Sequence, residues 1–175
     1  MSLIETIQRE ISEITSNCYN KYKLLLNEVC KKLQIECFDS DFDDPRISGM
    51  LIKNNETGKF DIYVNRKHSN TRQRFTVAHE IGHYLSWKHQ SYSYEQLNKE
   101  NEIEDYAISF RHESIQSDAE TEANEIAATI LMPEEKVREL AKKNLTIEEM
   151  AVEFFVSEAA MTVRLQALYK GVQFV

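Results

Sequence analysis

The stretch Arg74-Phe-Thr-Val-Ala-His79-Glu80-Ile-Gly-His83-Tyr-Leu85 decides how this chain is read. It lies within a longer segment, Asn70 to Trp87, where Phe75, Ala78, Gly82 and Leu85 are apolar or small at helical spacing. Residues four apart on a helix stand one above the other, so His79 and His83 present both imidazoles to one point. H-E-x-x-H in that setting is a candidate metal site. Zinc accepts neutral nitrogen donors, and a catalytic zinc keeps one position for water. Glu80, beside a ligand, is the candidate general base for that water.

A third protein ligand must then come from elsewhere. The segment Ala119 to Leu131 reads as a helix and offers Glu120 and Glu122. At about 100° per residue, its apolar stripe of Ala123, Ile126, Ala127, Ile130 and Leu131 centres about 50° from Glu120 and about 110° from Glu122. Glu120 is the better placed. Asn124 follows it by four and is suited to accept the second ring proton of a histidine. Ala78 and Gly82 on one helix, and Ala123 and Ala127 on the other, are small enough for the two backbones to approach closely.

Outward from this pair, Ile4, Ile7, Ile11, Ile14, Cys18, Leu25, Val29 and Leu33 predict one or two amphipathic helices. Asp39-Ser-Asp-Phe-Asp-Asp-Pro45 reads as a loop. Gly49–Lys53 and Lys59–Asn65 are short β-prone runs about Asn54-Asn-Glu-Thr-Gly58, a hairpin with Phe60, Ile62 and Val64 on one face. Pro133 suits the first turn of a helix through about Lys143, with Asn144 able to end it. Thr146 opens another helix with Glu149 in the capping-box position, and Ser157 caps a last one to about Tyr169. The fold class predicted is α+β, zincin-like, mainly helical with a small antiparallel sheet. Residues 1–143 form the zincin-like domain, and residues 144–175 form helix-turn-helix-like C-terminal helices packed on it.

The chain has 175 residues, 42% of them hydrophobic, which is enough for one core. A formal charge of −8 argues against a protein that grips long nucleic acid by its phosphates. The amino terminus carries Glu5, Arg9, Glu10 and Glu13 among its apolar residues, unlike a signal peptide, and no run is long enough to span a membrane. Cys18, Cys30 and Cys37 lack C-x-x-C spacing and read as free thiols of a cytoplasmic protein, serving as buried apolar fillers.

The C-terminal pair offers only Thr162 and Arg164 as nucleic-acid contacts, with Glu158 at its phosphate-facing start, so a packing or docking role is favoured. Ten acids between Glu95 and Glu125 read as solvated charge, in part on a loop between the two metal helices. Tyr84, Tyr106, Arg111 and His112 suit an oxyanion donor by type. His68, His89 and His112 are taken as surface or structural residues.

Arg74–Leu85 and Glu120-Thr-Glu-Ala-Asn-Glu-Ile-Ala-Ala-Thr-Ile-Leu-Met-Pro133 together resemble the ImmA/IrrE metallopeptidases, intracellular gluzincin-like enzymes. The resemblance implies zinc held by His79, His83 and a glutamate, with Glu80 catalytic. It also supports Glu120, because Glu-x-x-Ala-Asn is similar to the Glu-x-x-Ala/Ser-Asp pattern of gluzincins, with Asn124 standing where an acid is usual. It implies a protein substrate, a helix-turn-helix repressor controlling a stress or mobile-element programme. An exposed strand edge of the hairpin suits an extended peptide.

Overall fold

The computed structural model describes residues 3–54, 57–89 and 118–169. Most of the acidic run from Glu95 to Glu125 lies outside them, as do Tyr106, Arg111 and His112. Helix α1 (Leu3–Thr15) buries Ile7, Ile11 and Ile14 on one face. Two two-residue strands, β1 (Tyr19–Asn20) and β2 (Lys23–Leu24), then pair antiparallel before α2 (Leu26–Leu33). This hairpin interrupts the segment expected to be helical. Asn17 and Lys21 turn the chain with φ of 60° and 58°, and Tyr22 and Leu24 enter the core two residues apart, the period of a strand. The Tyr19 hydroxyl donates to Ile130 O at 2.7 Å, and burial pushes its pKa up to about 12.

At the end of α2, Gln34 adopts a left-handed conformation and Ile35 N bonds back to Cys30 O at 3.0 Å. The chain reverses into β3 (Glu36–Ser40). Strands β4 (Gly49–Lys53) and β5 (Phe60–Asn65) form the antiparallel hairpin that the spacing predicts, with Leu51 opposite Ile62 and with Phe60, Ile62 and Val64 buried. Strand β3 adds to it in parallel, in the order β3-β5-β4. Asp39 and Ser40, read as loop, pair instead with Val64 and Asn65. The side chains of β3 are exposed or half-buried, so the strand has no apolar alternation to betray it. For the same reason Cys37 is exposed rather than a buried filler, whereas Cys18 and Cys30 are buried.

Helix α3 (Asn70–Lys88) starts at Ser69, whose Oγ accepts from Arg72 N at 3.4 Å. Residues 78–83 are all buried, which covers every face of the helix. On one side lies the sheet, so close that a methyl on Gly49 would sit 2.5 Å from Thr76 Cγ2. On another lies α4 (Asp118–Leu131), which buries Ala119, Ala123, Ile126, Ala127, Ile130 and Leu131. A methyl on Gly82 would meet Ala123 O at 2.8 Å and Ala123 Cα at 2.9 Å. Both contacts are to backbone, which has nowhere to go.

Helix α5 (Glu134–Ala141) follows Pro133 and stops before Asn144, whose φ is 55°. Helix α6 (Ile147–Phe154) carries the full capping box between Thr146 and Glu149, and α7 (Glu158–Leu168) is capped by Ser157. Phe154, Met161 and Leu165 join the same apolar cluster as Ile62, Ile81 and Ile130. Arg164 Nε donates to Met132 O at 2.9 Å, so this candidate phosphate contact is turned towards the end of α4. Arg74 reaches from α3 to Leu24 O at 3.0 Å and Phe155 O at 3.2 Å. Among the described residues no helix is long and apolar enough to cross a membrane.

The far end of α3 is tied to α1, where Glu10 accepts from Lys88 and from His89. Burial pushes the Glu10 carboxyl up, but the bonds and charges of Lys88 and His89 outweigh it and hold the pKa below its usual value. A depressed carboxylate stabilises the fold fully above its unfolded pKa of about 4.3, and that stability fades as pH falls through the folded value. Glu10→Gln should cost about 1 kcal/mol at pH 7, and the difference from wild type should shrink as pH falls below about 4.3 and be lost only below the depressed folded-state pKa, as read by urea unfolding at each pH. Gly82→Ala should destabilise by about 1–3 kcal/mol through overpacking, seen as a lower Tm with chelator present as well as absent.

Candidate metal centre

The pleat of α3 against α4 brings the predicted residues into one cluster. His79 and His83 stand one turn apart, their rings edge to face with centroids 4.5 Å apart. Their Nε2 atoms are 2.9 Å from each other. Glu120 reaches in from α4, with Oε2 3.2 Å from His79 Nε2 and Oε1 2.9 Å from His83 Nε2. The three side chains each offer one ligand atom, all within 4.8 Å of one another. Both histidines are buried and Glu120 is partly so.

Asn124 Oδ1 lies 3.0 Å from His79 Nδ1. An amide oxygen only accepts, so His79 carries its proton on Nδ1 and turns the Nε2 lone pair towards Glu120 and His83. Three lone-pair donors meeting at one point repel each other unless a positive charge sits among them. Protons or a cation supply it, and the donor set of two imidazoles and a carboxylate suits a divalent metal of zinc's class. His83 Nδ1 is buried without a hydrogen-bond partner among the described residues, so its ring lacks the second-nitrogen support that Asn124 gives to His79.

The ionisation of these groups points the same way. Burial alone would lower the His79 pKa, but the hydrogen bond and charge of Glu120 prevail and raise it. For Glu120, burial pushes up, yet the two histidines hold its carboxyl well below the usual carboxylate range. Such a cluster draws positive charge to itself. Glu80 differs. Burial raises its pKa, with the Glu120 charge adding to the effect, and the pull of His79 and His83 does not cancel it. A carboxyl moved up towards neutrality exchanges protons near working pH more readily than an ordinary one.

Of the two carboxylates weighed on α4, Glu122 is engaged elsewhere. Its Oε1 accepts from Ser86 Oγ at 2.7 Å. Ser86 was not singled out in the sequence, although it follows His83 by three and so faces the same neighbouring helix. Tyr84 packs edge-on against Phe60 with centroids 5.3 Å apart. His68 Nε2 contacts Pro45 O at 3.1 Å and His89 pairs with Glu10, so neither joins the cluster.

A search of curated proteins finds no match. Among solved structures, a Mycobacterium tuberculosis transcriptional regulator superposes with a TM-score of 0.56 at 16% identity, covering 99% of this chain and 48% of that one. At that identity the likeness is one of fold, and this chain spans about half the length of its neighbour. The family profile described as Peptidase_M78, the IrrE N-terminal-like domain, matches residues 30–166. That span holds the three-stranded sheet, both helices of the cluster and all but the last two residues of the C-terminal pair, and the chain belongs to the IrrE N-terminal-like domain family.

Proposed function

We propose that this protein is a zinc-dependent endopeptidase acting on a protein substrate, a helix-turn-helix repressor, in the cytoplasm. The observation that carries the reading is the convergence of His79 Nε2, His83 Nε2 and Glu120 on one point, with the buried Glu80 carboxyl on the adjoining residue. In this reading His79, His83 and Glu120 hold the ion, and Asn124 keeps the His79 lone pair aimed at it. The bound ion supplies Lewis acidity towards a peptide carbonyl and towards water. Glu80 takes the proton from the attacking water on a carboxylate oxygen and hands it to the departing amine. Its raised pKa suits both halves of that transfer.

A protein substrate is supported by the peptidase family and by β4, an edge strand of the sheet that packs on α3 through Gly49 and Thr76. An extended segment can add to such an edge through main-chain hydrogen bonds. The C-terminal pair supports docking rather than DNA reading, since Arg164 is engaged with Met132 O.

Cleavage of a co-encoded repressor by wild type and Glu80→Gln, with metal content measured on both, tests the reading. Glu80→Gln should keep its zinc and lose about 10²–10⁴-fold in rate. Undiminished cleavage with zinc retained would overturn the assignment of the base, and binding without cleavage by wild type would make the protein a regulatory module. Asn124→Ala should weaken zinc binding by about 10–100-fold in competition with a chromogenic chelator. Glu120→Gln should weaken it far more than Glu122→Gln, whose carboxylate is held by Ser86.

A further inference from the structure

Away from the histidine cluster, two thiols face each other across the turn that ends α2. Cys30 is buried in the last turn of the helix, and Cys37 is exposed on the edge strand β3. The left-handed Gln34 folds the strand back beside the helix, and the sulfurs come within 3.4 Å. A disulfide needs about 2.05 Å, so small side-chain rotations close the remaining gap. Cys37 also lines a groove of about 620 Å³ with Val64, Gln73, Arg74, Val77 and Phe155, so the exposed residue stands beside space that a small solute can enter.

We propose that Cys30 and Cys37 are a reversible thiol-oxidation site for hydroperoxides, with Cys37 as the attacking thiolate and Cys30 as the resolving thiol. The pair shares its protons unequally. Contact with Cys30 holds the Cys37 thiol below its usual range, even against the partial burial of its sulfur, on an otherwise exposed residue, and the charge of Asp61. The same contact, together with burial, pushes Cys30 up and keeps it protonated. In the first step the Cys37 thiolate takes the terminal oxygen of ROOH, the O–O bond breaks, and the alkoxide leaves and gains a proton as ROH. In the second, the Cys30 sulfur displaces hydroxide from the Cys37 sulfenic acid, its own proton leaves with that hydroxide as water, and the S–S bond forms. Two thiols are oxidised by two electrons, and one peroxide is reduced to alcohol and water. The bridge would clamp α2 to β3, the strand beside the one that leads into α3.

The test uses the full chain, reduced and then exposed to stoichiometric hydrogen peroxide, denatured, alkylated and mapped by mass spectrometry. A peptide pair joined between Cys30 and Cys37 and lighter by two hydrogens is expected, with Cys18 alone alkylated and all three thiols restored by dithiothreitol. Cys30→Ser should stop at a Cys37 sulfenic acid captured by a 1,3-dione probe. Cys37→Ser should leave Cys30 at least tenfold slower to oxidise. Three intact thiols, a bridge that includes Cys18 or joins two chains, or wild-type Cys37 passing to sulfinic acid beside a free Cys30 would each overturn the proposal. None of these readings depends on metal or on cleavage, so the outcome stands apart from that of the peptidase reading.

Discussion

The contact between Gly82 and the backbone of Ala123 is the constraint on which the rest of this structure depends. Helix surfaces usually meet through side chains, which keeps their axes about 8–10 Å apart. A carboxylate on one helix has a short stem and must span that gap to reach imidazoles on the other. Removing the side chain at Gly82, and keeping Ala78, Ala123 and Ala127 small, lets Glu120 come within 3.2 Å of both histidines. The sheet and α4 then close around the helix, which is why residues 78–83 are buried on every side.

That burial shapes the chemistry. In water, two histidines and two acids within a few ångströms would be screened into ordinary behaviour. Here the same groups are pulled apart in character, since Glu120 is held ionised by its neighbours while Glu80 is pushed towards its neutral form. The same pair of rings pulls both carboxyls down, but only Glu120 is hydrogen-bonded to them, so burial prevails at Glu80 and the histidines prevail at Glu120. Asn124 adds direction without adding charge, because an amide orients His79 yet leaves the cluster with only the two acids.

Legibility in the sequence follows the range of the interaction. Helix α3, the Thr146–Glu149 capping box and the hairpin of β4 and β5 could be read because each is written in residues a few positions apart. The facing of Glu120 was also within reach, since the apolar stripe of α4 is a local pattern. Strand β3 was not, because its parallel partner lies more than twenty residues away and its exposed side chains carry no periodic signal. The hairpin of β1 and β2 escaped for a related reason, as Lys21 is no marker of a left-handed turn. The neighbouring thiols of Cys30 and Cys37 depend on both the turn at Gln34 and the hidden strand, so no spacing rule exposes them.

Arg74 sets how this molecule opens. Its guanidinium is bonded to carbonyls of two other segments, at Leu24 and at Phe155, and neither can leave without stranding a partly buried charge. Segments more than a hundred residues apart in the chain are therefore coupled through a single side chain of α3. Opening of the turn between α6 and α7, or of the strand that ends at Leu24, thus leaves the guanidinium short of a partner within the fold and weakens the hold of α3 on the segment that remains.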